Sequence, residues 1–164
     1  MGRGLRIYYN SVAYHICTRG NNKQKILSKD EDKQAFLETL AKYRERLKFK
    51  LYAFVIMPNH VHLLIQTQGK VNISKIMQAI MLSYSQKFRN KYDYTGYVWQ
   101  GRFKSSVLES DQYVKTCINY IHNNPIRAEL VKNIKDYQFS SHHFYHSGIN
   151  PISSLIDVDR FESC

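Results

Sequence analysis

Two short stretches hold residues whose types and spacing suit chemistry. The first is His60-Val61-His62. On a β-strand, residues two apart project to the same face. His60 and His62 therefore stand side by side, while Val61 turns away with Leu63 into apolar packing. Paired imidazoles on a rigid strand make half of a metal site. The same spacing also suits two half-exposed histidines on a sheet face, so the motif alone leaves both readings open. The second stretch is Tyr120-Ile121-His122-Asn123-Asn124. On a helix, Tyr120 and Asn124 lie one turn apart and share a face. An amide oxygen there could complete a metal site begun by two histidines, with Tyr120 beside the metal. A phenol is a poor nucleophile until its proton is drawn off. A metal that polarises a phosphate and steadies the leaving oxygen lowers that barrier. Taken without a metal, the same residues read as a buried aromatic and a helix stop before Pro125.

Basic residues surround these stretches. Gln100-Gly101-Arg102-Phe103-Lys104 sets two cations and an aromatic beside a glycine, which suits close approach to a phosphate backbone with base stacking. Lys87, Arg89 and Lys91 cluster towards a helix end. Arg19-Gly20-Asn21 reads as a turn. Each of these equally suits a solvated basic face.

The elements that must position these residues follow from periodicity. Ser11 to Thr18 reads as a strand, with Val12, Tyr14, Ile16 and Thr18 alternating against Ala13, His15 and Cys17. Ser28 or Asp30 is placed to cap a helix running to about Leu47. Phe49 to Met57 is an apolar strand, Pro58-Asn59 a turn, and His60 to Gln66 the returning strand of a hairpin. Ile76, Ile80 and Tyr84 recur on one face of a helix from Ile73 to about Lys91. A strand from Phe103 to Leu108 leads to a helix from Asp111 to Asn123, which Pro125 is expected to end. The order β-α-β-β-α-β-α predicts an α+β fold: a ferredoxin-like antiparallel sheet with helices on one face. Residues 1–164 read as one domain, with a polar, irregular C-terminal region from about 132 that holds His142, His143 and His146.

Bulk properties narrow the partners. The chain has 164 residues, 43% of them hydrophobic and 23% charged, enough for a single core. No apolar run approaches the ~20 residues of a membrane span, and the N-terminus has no signal-peptide pattern. A cytoplasmic protein is expected. Cys17, Cys117 and Cys164 are far apart and odd in number, spell neither a disulfide framework nor a zinc knuckle, and read as reduced thiols. A net charge of +11 favours polyanions, nucleic acid before anionic membrane.

Together the motifs resemble a known group. Met57-Pro58-Asn59-His60-Val61-His62-Leu63-Leu64-Ile65 is similar to the histidine–hydrophobe–histidine signature of the HUH endonucleases, in particular the single-tyrosine transposases of bacterial insertion sequences and their REP-associated relatives. Tyr14-His15-Ile16 running into Arg19-Gly20-Asn21, Gln100 to Ser105, and Tyr120 to Ala128 resemble the same group, in the same order. The resemblance implies His60 and His62 as metal ligands, Asn124 as the polar third ligand, and Tyr120 as nucleophile. It implies Mg²⁺ or Mn²⁺ as cofactor, and DNA contacts from Arg19, Asn21, Gln100, Arg102, Lys104 and Arg127. The implied substrate is single-stranded DNA with a hairpin, cut and rejoined through a covalent 5′-phosphotyrosine. Relatives act as homodimers, some with the tyrosine helix serving the partner's site, or as monomers.

Alternatives remain open at this level. Tyr113, two turns before Tyr120, is a rival nucleophile, although Cys117 one turn on does not suit a magnesium site. Glu109 and Asp111 are possible carboxylate ligands. A non-catalytic nucleic-acid-binding module on a ferredoxin-like fold accounts for the charge and the tyrosines, and a metal hydrolase using water would not need Tyr120.

Overall fold

A computed structural model describes residues 9, 11–147 and 156–157. Cys164, Phe161 and the side chain of His146 lie outside the described residues, as does most of the chain beyond 147. Four strands form one antiparallel sheet: β1 (Ala13–Arg19), β2 (Lys50–Ile56), β3 (His60–Gln66) and β4 (Lys104–Leu108), in the order β2-β3-β1-β4. Between them run α1 (Asp30–Leu47) and α2 (Ile73–Tyr92). After β4 come α3 (Asp111–Arg127) and the short α4 (His142–Ser147). The α+β expectation holds, with strand ends shifted by one or two residues.

Strand periodicity divides the sheet into two faces. On one, Tyr14, Ile16, Leu51, Phe54, Ile56, Val61, Leu63 and Ile65 join Phe36, Leu40, Ile76 and Ile80 of α1 and α2 in the larger core. The two helices are also tied at their ends, where Lys91 donates to Asp32 at 2.7 Å and to Glu31 at 3.0 Å, and Tyr92 donates to Asp32. Arg89 donates to the Gly96 carbonyl. Of the basic cluster on α2, Lys91 and Arg89 therefore hold the fold together and are not cations waiting for a ligand.

The expectation of helices on one face holds for α1 and α2 but not for α3. Val114, Cys117, Ile118 and Ile121 pack on the opposite face, against Ala13, Tyr52, Ala53, Val55, Met57 and Leu64. A register shift between Leu51 and Ala53 lets both Tyr52 and Ala53 face α3, because a bulge interrupts the strict alternation. Burial of each aliphatic side chain from α3 contributes ~1.5–3 kcal/mol, enough to seat a helix that propensity alone would not hold.

Two helix termini depart from expectation. Neither Ser28 nor Asp30 caps α1. The N-cap is Lys29, without a side-chain bond, and Asp30, Glu31 and Asp32 in the first turn offset the helix dipole instead. Nor does Pro125 end α3, which continues to Arg127. Proline cannot serve the carbonyl one turn back, and here the Asn124 side-chain amide donates to the Tyr120 carbonyl at 2.8 Å and the Ile121 carbonyl at 3.4 Å. The freed acceptor is satisfied and the helix proceeds.

Within the described part of the region after 131, residues 139–141 pair with the sheet, which the polar composition did not predict. Ile56 N–H donates to Phe139, Ser141 N–H donates to Phe54, and Val55 bridges Ser140, so this segment runs along the outer edge of β2. The Ser141 hydroxyl links Phe54 N–H, 2.9 Å away, to His122 Nε2 at 2.7 Å. That joins the buried side of α3 to the sheet.

Candidate active site

Strand register brings the first residues together. β1 pairs antiparallel with both β3 and β4, and Cys17 lies opposite His62 on one side and Lys104 on the other. The side chains of His15, Cys17, Arg19, His60, His62 and Lys104 therefore share the face on which α3 lies. α3 covers only the β2 side of that face. Its other flank leaves a cleft of about 410 Å³ lined by His15, Cys17, Arg19, His60, His62, Lys104, Ser105, Ser106, Tyr120 and Asn124. Two pairs distant in sequence, His60 with His62 and Tyr120 with Asn124, thus meet in one place.

Tyr120 is 38% exposed, with its ring edge-on to His15 at 5.6 Å and to His62 at 5.7 Å between centroids. The Arg127 guanidinium lies 5.1 Å from the centre of the Tyr120 ring, one face of which it covers. Arg127 is thus beside the tyrosine rather than in the cleft lining. Tyr113 is 63% exposed and lines none of the cleft. Cys117, between them, is buried in the small core, and burial pushes its thiol up to about 11.

The histidines are arranged as neutral donors. His60 Nδ1 lies 2.6 Å from Asn59 Oδ1, and His62 Nδ1 lies 3.0 Å from His15 Nε2. In each ring one nitrogen is engaged and Nε2 remains for another partner. Burial, then the Arg19 charge, lowers His60 to about 4. Burial, then the charges of His60, His15 and Arg19, lowers His62 to about 3. Burial also lowers His15. All three are neutral near pH 7, the form that binds a metal. The donor set fits a divalent metal with one limit. Among the described residues no group of three or more His, Cys, Asp or Glu side chains is arranged to hold a metal ion. Neither Glu109 nor Asp111 lines the cleft. A third protein donor would have to be the Asn124 amide, whose NH₂ group is bonded back to its own helix, leaving its oxygen as the acceptor.

A second cleft, about 590 Å³, adjoins the first. Arg19, Gln100, Arg102, Phe103 and Lys104 line it, and Cys17, Arg19, Lys104 and Ser105 belong to both. Backbone bonds build this junction. Gln100 N–H donates to Arg19, Asn21 N–H to Val98, and Gly20 N–H to Asn59. A Cβ on Gly20 would fall 2.4 Å from the Gln24 carbonyl oxygen, so only glycine lets the turn close this tightly. Asn21 reaches this junction through its backbone and is not among the residues lining either cleft. Among the described residues no Asp or Glu lines either cleft, so both present cations to an anion.

Sequence reasoning missed His15 and Asn59 as parts of the site. The available signal was the odd-numbered face of β1, which antiparallel pairing with β3 turns towards His62. Among the described residues no helix is long and apolar enough to cross a membrane.

Comparison with known proteins places this architecture. A REP-associated tyrosine transposase of Escherichia coli K12 is 24% identical over 132 aligned residues, 79% of this chain and 77% of the relative. A Haemophilus influenzae Rd protein named for the same group is 26% identical over 136 residues, 72% of this chain and 77% of its own. The fold matches a REP-associated tyrosine transposase solved bound to a REP hairpin, with TM-score 0.75 and 22% identity over 96% of this chain and 93% of that one. The family model of IS200-like transposases matches residues 8–124, taking in the histidine strand and the tyrosine helix alike, and the chain belongs to that family.

Proposed function

We propose that this chain is a metal-dependent transposase of the HUH type that nicks and rejoins single-stranded DNA through a 5′-phosphotyrosine on Tyr120. The observation that carries the reading is the meeting of Tyr120, His60, His62 and Asn124 in one cleft rimmed by cations. The hairpin in the solved relative supports a hairpin-bearing strand as substrate.

His60 and His62 would hold Mg²⁺ or Mn²⁺ through Nε2, with the Asn124 oxygen as third donor. Bound there, the metal would polarise a non-bridging oxygen of the scissile phosphate and offset charge on the leaving oxygen. The remaining work belongs to the chain. Arg127 packs on the tyrosine ring and limits its rotation beside His15 and His62. Arg19 and Lys104 neutralise the phosphate under attack. Gln100 and Arg102 bind the flanking strand along the second cleft, while Asn21 holds the adjoining turn through its backbone bond to Val98. Tyr120 Oη forms a bond to phosphorus as the bond to the 3′-oxygen breaks. The phenol proton is lost, and the leaving oxygen takes up a proton to become a free 3′-hydroxyl. One phosphodiester replaces another, so the step reverses without ATP. Tyr120 meets histidines of its own chain, so this reading does not need a partner subunit to complete the site.

The test is a denaturing gel that detects protein–DNA adducts. Wild type, Tyr120→Phe and Tyr113→Phe are mixed with hairpin-bearing single-stranded oligonucleotides in Mn²⁺ or EDTA. A metal-dependent shifted band should appear in wild type and Tyr113→Phe and vanish in Tyr120→Phe. Tight binding that survives EDTA with no adduct would favour the non-catalytic binding module. Free ends that persist in Tyr120→Phe would favour a water nucleophile.

A further inference from the structure

We propose that His15 is a positioning residue for the metal site, setting which ring nitrogen His62 presents. The inference rests on the reading that His60 and His62 hold the metal. His15 sits on β1 opposite Leu64, diagonal to His62 on the same sheet face, and its Nε2 lies 3.0 Å from His62 Nδ1. The two rings are within 15° of parallel, with centroids 5.2 Å apart. A metal on His62 Nε2 requires the His62 proton to sit on Nδ1. That N–H then donates to His15 Nε2, and the proton of His15 lies on its own Nδ1. A bond in the opposite sense would place the His62 proton on Nε2 and block the ligand atom. Metal-binding histidines generally donate their second N–H to a fixed acceptor. His60 has such an acceptor in Asn59, and His62 has it in His15. His15 also meets the Tyr120 ring edge-on, so one side chain holds the inner ligand and borders the nucleophile.

The experiment compares His15→Phe, which keeps a ring but offers no acceptor, with His15→Gln, which restores one. Both are made in the Tyr120→Phe background, so that bound DNA stays uncut. Mn²⁺ affinity is read by electron paramagnetic resonance with a single-stranded hairpin oligonucleotide present, and folding by thermal melting. Affinity should fall about 10–100-fold in His15→Phe and recover largely in His15→Gln, with both chains folded. Adding His15→Phe to His62→Ala should cost nothing further. Equal affinity in His15→Phe and the parent, or no difference between Phe and Gln, would overturn the role of His15 alone. Absence of Mn²⁺ binding in the parent itself would remove the metal reading, and His15 with it. If His15→Phe fails to fold, His15→Leu against His15→Gln carries the same comparison.

Discussion

The two faces of the sheet are built from the same strands and do opposite things. On the α1–α2 face the inward residues of β2 and β3 are apolar, β1 adds Tyr14 and Ile16, and the helices seal them. On the α3 face the β2 side is apolar and covered by Val114, Ile118 and Ile121, while the rest of the face carries His60 and His62 of β3, His15, Cys17 and Arg19 of β1, and Lys104 of β4. One helix thus closes half a face and leaves its other flank, with Tyr120 and Asn124, over the open half. Buried imidazoles on that half give up solvation without a charged partner. This lowers their pKa, whereas the facing core contributes stability and no chemistry. Adjacent residues on β3 therefore belong to different systems, and substitutions can separate them.

The sharpest contrast sets His62→Ala against Leu63→Ala. Metal-dependent nicking should fall at least ~100-fold in His62→Ala, with little change in melting temperature. Leu63→Ala should cost about 2–5 kcal/mol in chemical denaturation, since Leu63 is fully buried in the larger core. A large stability loss in the histidine variant would break the comparison.

A smaller effect is expected with pH. His60 and His62 have folded-state values of about 4 and about 3, below the ordinary 6.5. The unfolded chain then binds more protons than the folded one between pH 6.5 and about 3. Stability from these groups is full above 6.5 and is lost as pH falls through that window. Melting of the metal-free protein should decline from pH 7 to 4.5, and the His60→Gln/His62→Gln pair should flatten that decline. An unchanged slope would show that the open half of the face is better solvated than its geometry implies.

The smallest effect belongs to the rim. Lys104→Ala should weaken DNA binding about equally across sequences and reduce the salt dependence by about one phosphate contact. Fluorescence anisotropy across a salt series reads this directly. A sequence-selective loss would move Lys104 from backbone contact to base recognition.

Much of this was legible before any coordinates. The two-residue period of a strand is local, so His60 and His62 share a face whatever surrounds them. The helical turn is local too, which puts Asn124 one turn from Tyr120. Pro125 misled for a local reason of another kind. Its missing N–H predicts a stop, but the side chain of the preceding Asn124 fills the vacated acceptor, and the helix runs on to Arg127.

Non-local contacts were decided by the tertiary structure alone. His15 becomes part of the site because β1 pairs antiparallel with β3 in a register that sets it diagonal to His62. Tyr120 lines the cleft and Tyr113 does not, because α3 crosses the sheet face with only its second half near the histidines. Arg127 reaches the tyrosine ring only because the helix continues. Sequence periodicity dictates which way each side chain points within its own element, because that depends on backbone geometry. Which elements then meet, and in what register, depends on burying apolar faces across long chain separations, and that is settled only when the whole core forms.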